Sequence, residues 1–263
     1  MLMNKLLLIS LWAIATSTIT GDLNITPQVN APKEITQTKV EVVKDPVKEL
    51  YDEMKLQGII KWDAFEQAMQ GYQQLNPKNR NIMTIIDFTL PSTDKRMYVL
   101  DMKAKKLLYH NIVSHGRNSG EKFATSFSNK HGSFQSSLGF YYAEETYYGG
   151  NGFSLRLDGL EKGINDQARP RAIVVHGADY CSTDIIKSTG RLGRSYGCPA
   201  LPRELTKPII NTIKGGSLMY IYAGNKDYLA STKFVKKHPL EPTSTLIATQ
   251  HDEETGKSKT VLN

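Results

Sequence analysis

The chain has few cysteines, few long apolar runs and no histidine spacing of the kind that binds metal. Cys181 and Cys198 are its only cysteines in 263 residues, and one bridge in a chain of this size is no disulfide framework. No apolar run reaches the ~20 residues that a membrane-spanning helix needs, which excludes a polytopic membrane protein. The six histidines include no His-x-His or His-x3-His pair, so His110, His115 and His131 give no zinc signature. No metal is expected. No internal repeat is found.

Hydrophobic residues make up 40% of the chain and charged residues 22%, the composition of an ordinary globular protein rather than a disordered or collagen-like one. The formal charge of +7 favours polyanionic or carboxylate-bearing partners. The absence of a basic stripe speaks against nucleic acid. Lys5 followed by the apolar run Leu6 to Ala15 and by Thr16, Ser17 and Thr18 reads as a signal peptide over 1–19. An exported protein of the periplasm or cell wall is expected, with no integral membrane segment after cleavage. No cysteine adjoins the run to carry a lipid.

Residues 20–45 read as a flexible linker. Val47, Leu50, Tyr51 and Met54 then fall at helical spacing, with Gly58 placed as a C-cap. A second helix is expected from Trp62 to Leu75, stopped by Asn76-Pro77. These two helices form a small annex over 46–80. From Ile82 the period becomes that of strands: Ile82–Leu90, then Arg96–Asp101 and Leu107–Val113 as a hairpin, then Gly139–Ala143, Phe153–Leu157, Arg171–Val175 and Ser217–Tyr222, with a helix over Arg203–Ile213. The expectation is a mostly β domain over 81–224 with a few short helices, followed by a polar tail over 225–263.

The chemistry concentrates in 171–202. A buried strand runs into His176-Gly177, which brings an imidazole to a sheet edge. Ser195-Tyr196-Gly197-Cys198-Pro199-Ala200 follows. Gly197 admits close backbone approach, and a Gly-Cys turn supplies N–H groups of the kind that hold an oxyanion. A thiol beside an imidazole makes nucleophilic acyl transfer chemically available. Two structural readings stand beside that one: an inert buried cysteine and a Cys181–Cys198 bridge. Asp179, Asp184 or a backbone carbonyl would orient the imidazole.

His176-Gly177 with Ser195-x-Gly197-Cys198 resembles the signature of the L,D-transpeptidase catalytic domain. The wider context is similar to its murein L,D-transpeptidase branch: Ile86-Asp87-Phe88, the Arg96 strand, Val113-x-His115-Gly116, Phe127-Ser128-Asn129, Ser136-Ser137-Leu138-Gly139, Ser154-Leu155-Arg156-Leu157, Asn165-Asp166-x-Ala168 and Gly193 to Ala200. Tyr196 stands where the broad family commonly has histidine, and Ala200 where it has asparagine or arginine. The resemblance implies a β-sandwich-like catalytic domain acting on peptidoglycan stem peptides, with no metal and no cofactor. Cys198 would be the nucleophile and His176 the base. The N–H groups of Tyr196, Gly197 and Cys198 would form the oxyanion site. An acceptor amine would resolve the thioester, giving a cross-link. Water in its place would make the enzyme an L,D-carboxypeptidase. A wall-binding protein without turnover is the third reading, against which the intact His176/Cys198 pair argues.

Stem peptides end in carboxylates, which guanidinium groups bind bidentately. Arg194, then Arg156 and Arg191, are the candidates for that task, with Ser195 and Gly177 as further substrate-side residues. Tyr141, Tyr142, Tyr147 and Tyr148 are candidates for a groove wall or for sheet packing.

Overall fold

The computed structural model describes residues 45–236. The expected signal peptide, nearly all of the linker and the tail beyond 236 lie outside the described residues. Among those described, no helix is long and apolar enough to cross a membrane.

Eight strands form one mixed sheet: β1 (Asn79–Asp87), β2 (Met97–Asp101), β3 (Lys106–Asn111), β4 (Gly139–Gly149), β5 (Gly152–Gly159), β6 (Val174–Gly177), β7 (Ala200–Leu201) and β8 (Ser217–Tyr222). Their spatial order is β3-β2-β1-β8-β4-β5-β6-β7. Pairing is antiparallel except for β1 with β8 and β6 with β7. All six residues of β8 are buried, as a central strand covered on both faces must be. Beyond β3 the chain reaches the opposite edge of the sheet. Ser114 bridges Ala200, Gly116 bridges Ser195, and the Ser114 N–H donates to the Ala200 carbonyl at 2.9 Å. The sheet is thus curled until its two edges meet, and the meeting point holds Cys198.

The helices α1 (Pro46–Glu53) and α2 (Trp62–Gln74) share one apolar core with the sheet. Tyr51, Ala64, Phe65, Ala68 and Met69 are buried in the same cluster as Ile85, Phe140 and Tyr220. Asp45 caps α1 by accepting from the Val47 N–H, and Pro46 opens it. The cap glycine expected at Gly58 is not one. α1 ends at Glu53, and Gly58 lies in the turn between the two helices. The helix α4 (Arg203–Ile213) turns Ile209, Ile210 and Ile213 inward.

Three elements escape the sequence pattern. The helix α3 (Thr183–Thr189) is capped by Ser182 and closed by Gly190 in the left-handed region. The strand β7 has two residues. The helix α5 (Lys226–Ser231) falls where a polar tail was expected to begin. Tyr228 of α5 is buried, and its hydroxyl meets the buried Glu161, which also accepts from Thr232 and from the Phe140 N–H. Residues 225–236 are therefore fastened to the sheet through a carboxylate.

Candidate active site

A cleft of about 690 Å³ opens where the sheet edges meet. Its lining includes Arg117, Arg171, His176, Arg191, Arg194, Ser195, Tyr196 and Cys198. The sequence-predicted thiol and imidazole therefore share one cleft. Register explains this: His176 pairs with Ala200 across the parallel β6–β7 ladder, which sets Cys198, two residues earlier, beside Val174. The Val174 N–H donates to Cys198 Sγ at 3.4 Å, and the thiol is directed at the Ala172 carbonyl at 3.7 Å.

The turn before the thiol is closed by the Ser195 hydroxyl. Ser195 Oγ donates to the Cys198 carbonyl at 2.6 Å and accepts from the Gly197 N–H at 3.0 Å. The Ser195 N–H donates to the His115 carbonyl, and the Arg117 N–H donates to the Ser195 carbonyl at 2.7 Å. Gly197 has φ +124°, and a Cβ there would stand 2.7 Å from the Gln135 carbonyl oxygen. Only glycine takes that conformation without strain. Of the three N–H groups expected to face an oxyanion, the Gly197 one is spent on Ser195. The donors left in the turn are those of Tyr196 and Cys198.

Burial raises the Cys198 thiol above the ordinary cysteine range, against the opposing pull of the Val174 N–H and the Arg171 charge. Burial likewise lowers His176, with Arg203 adding to the effect and the Gly177 carbonyl opposing it. Near neutral pH both groups are therefore uncharged. His176 Nδ1 lies 3.0 Å from the Gly177 carbonyl. A carbonyl only accepts, so Nδ1 carries the proton and Nε2 keeps its lone pair. Neither carboxylate weighed for the orienting role performs it. Asp179 pairs with Arg203 and Asp184 with Lys187. Gly177 itself packs under α4, where a Cβ would meet Thr206 Oγ1 at 2.5 Å. It borders a smaller neighbouring pocket and does not line the cleft.

The predicted arginines divide. Arg191 and Arg194 line the cleft, and both pair with Glu121, at 2.9 Å and 2.6 Å. Arg156 does not line it. Its guanidinium pairs with Glu145 at 3.2 Å and lies 4.3 Å from the Tyr147 ring centre. None of the four clustered tyrosines lines the cleft; Tyr141 is buried with its hydroxyl on the Ser137 carbonyl.

Two cleft arginines were not singled out in the sequence, Arg171 and Arg117. Arg171 precedes the buried strand and donates to the Ser128 and Gln135 carbonyls and to the Ser137 and Ser133 hydroxyls. Its charge reaches the thiol. Nothing in residue spacing marks it, because the partners that hold it come from the 128–137 loop.

His115 is a structural residue. Arg96, fully buried, donates to its Nδ1 at 2.8 Å, and His115 Nε2 meets the Gly120 carbonyl at 3.2 Å. Both ring nitrogens are thus used, and no group of His, Cys, Asp and Glu among the described residues is placed to hold a metal. Cys181 and Cys198 are both free thiols. Cys181 sits in a separate cluster with Ile112 and Leu192, where burial pushes it up to about 11.

This chain is similar to several known proteins. The L,D-transpeptidase from Mycobacterium smegmatis is 13% identical, with a TM-score of 0.34 over 54% of this chain and 59% of that one. The L,D-transpeptidase from Stackebrandtia nassauensis is 12% identical, with a TM-score of 0.33 over 67% and 75%. A fused Zn-dependent amidase/peptidase/peptidoglycan-binding protein from Clostridium acetobutylicum is 14% identical, with a TM-score of 0.35 over 68% and 63%. This chain thus spans about three-fifths of the Mycobacterium smegmatis protein. No curated protein matches it. The model of the L,D-transpeptidase catalytic domain matches residues 56–222, more than half of the chain, and takes in α2, the whole sheet and the cleft. By that match the chain belongs to the L,D-transpeptidase catalytic domain family.

Proposed function

We propose that the protein is a peptidoglycan L,D-transpeptidase that forms a thioester at Cys198 and passes the acyl group to an acceptor amine. The observation that carries this reading is the shared cleft. A buried thiol and an imidazole with a free Nε2 line one cavity whose walls carry four arginines.

The resting pair is uncharged, so attack and proton transfer are coupled. The thiol leaves the Ala172 carbonyl, gives its proton to His176 Nε2, and its sulfur bonds to the stem carbonyl carbon. The N–H groups of Tyr196 and Cys198 face the developing oxyanion. The imidazolium then protonates the departing amine of the terminal D-residue. An incoming amine gives up its proton to the imidazole, attacks the thioester carbonyl and expels the sulfur, and the imidazolium passes that proton to the sulfur, which restores the thiol and the neutral imidazole. Water in the amine's place gives a trimmed stem. An export route to the periplasm or wall fits a substrate found there.

The test is incubation of the protein with a disaccharide-tetrapeptide and mass analysis of the products. Cross-linked dimers, lost in Cys198→Ala, are expected. Tripeptide alone would make the enzyme an L,D-carboxypeptidase. Products undiminished in Cys198→Ala would overturn the reading.

A further inference from the structure

Of the four cleft arginines, three are engaged. Arg171 is spent on carbonyls and hydroxyls, and Arg191 and Arg194 share Glu121. Arg117 differs. It is exposed, and among the described residues its guanidinium makes no hydrogen bond or ion pair. It lies 5.6 Å from the ring centre of Phe134 and 5.7 Å from that of Tyr196. Those rings are 4.8 Å apart, and both are exposed, at 39% and 64%. Aromatic faces hold a cation in place without neutralising it, so all the guanidinium N–H donors of Arg117 stay available.

The placement is built. Phe134 adopts φ +54°, a costly conformation for a bulky side chain that persists only where the surroundings over-determine it. Here they do. The Asn118 N–H donates to the Phe134 carbonyl, Asn118 Nδ2 to the Ser133 carbonyl, and Gln135 Nε2 to the Asn118 carbonyl. The bond from the Arg117 N–H to the Ser195 carbonyl ties this loop to the thiol's own turn. Strain is therefore held at the lip of the cleft, in the residue that walls an uncommitted cation.

We infer that Arg117 is the residue that binds a carboxylate of the incoming peptide, in place of Arg194, with Phe134 and Tyr196 fixing its guanidinium. The identity of the peptide rests on the acyl-transfer reading above; the carboxylate specificity does not. A stem peptide offers a carboxylate at its C-terminus and another within the chain, and the chemistry of recognition is the same for both.

The test uses the full chain carrying Cys198→Ala, so that binding is read without turnover. Calorimetric titrations compare three probes: a disaccharide-tetrapeptide, its C-terminal amide, and the form amidated at its internal carboxylate. Adding Arg117→Met is expected to weaken the tetrapeptide about ten- to a hundredfold, the range for a hydrogen bond to a charged group. Arg117→Lys should recover part of that loss. One of the two amides should bind weakly whether or not Arg117 is present, which identifies the carboxylate. Tetrapeptide binding unchanged within about twofold, equal losses for all three probes, or no binding by the Arg117-bearing chain would each overturn the inference. Arg117-dependent binding in a chain whose Cys198-bearing form transfers no acyl group would contradict the reaction and leave the role of Arg117 standing.

Discussion

Ser195 closes the turn that carries Cys198: its hydroxyl donates to the Cys198 carbonyl at 2.6 Å while accepting from the Gly197 N–H at 3.0 Å. One small side chain thereby satisfies two buried backbone groups and fixes where the thiol can point. Ser195→Ala leaves both groups unpaired, a cost of about 1–3 kcal/mol each. A lower denaturant midpoint and product formation reduced at least about tenfold are expected. Unchanged turnover in a stably folded Ser195→Ala variant would show that the turn needs no such tie.

Gly197 is constrained twice, by its φ of +124° and by the Gln135 carbonyl oxygen 2.7 Å from the position of an added Cβ. Gly197→Ala must shift the backbone, and Cys198 with it. The expected outcome is a loss of about 1–3 kcal/mol in folding stability and a fall in kcat of about a hundredfold or more. Wild-type kcat in this variant, read with the disaccharide-tetrapeptide, would contradict the placement of the turn.

The pH profile follows from the two uncharged groups. His176 must be neutral to act, and burial holds it below the ordinary histidine range of about 6.5. The acid limb of kcat/KM is therefore expected to have its midpoint below about 6.5, with a plateau through neutrality. The raised thiol predicts slow alkylation of Cys198 by iodoacetamide at pH 7, slower still in Arg171→Met, which removes the nearby cation. Rapid alkylation at pH 7 would indicate a preformed thiolate instead.

His115 makes a separate prediction about folding. Its pKa is pushed down to about 4, first by burial and then by the Arg96 charge. A histidine lowered in the folded state takes up its proton more readily when unfolded. Its contribution is thus complete above about pH 6.5 and is lost as pH falls towards 4, by at most about 3 kcal/mol. Urea denaturation between pH 7 and 4 should show that decline, and it should be shallower in His115→Gln. An identical slope in the two proteins would remove His115 as the cause.

The β-rich fold was legible wherever side-chain period alone dictates the element. Ser217–Tyr222 is a strand with the bounds expected for it, and Arg203–Ile213 is a helix likewise. Of the three elements that were missed, α3 carries local signals in its Ser182 cap and Gly190 close, whereas the other two depend on tertiary partners. β7 has two residues, paired with β6 and bridged by Ser114, and α5 is held by Glu161, more than sixty residues away. The thiol and imidazole were nominated by His176-Gly177 and Ser195-x-Gly197-Cys198 within an ordered series of motifs, and the fold brings both to one cleft. The ranking of the arginines rested on position in the chain, which is silent about a guanidinium's partner: Glu121 takes Arg191 and Arg194, and Glu145 takes Arg156. Arg117 owes its setting to two aromatic rings that no spacing rule pairs.

The central claim is a covalent bond to one sulfur, and intact-mass analysis of the protein quenched in acid during turnover measures it directly. The account predicts a mass gain equal to the tripeptide acyl portion of the substrate, mapped by proteolysis to the peptide containing Cys198 and absent in Cys198→Ala. A protein that turns the substrate over while every sulfur stays unmodified, or that carries the acyl group on another residue, would contradict it.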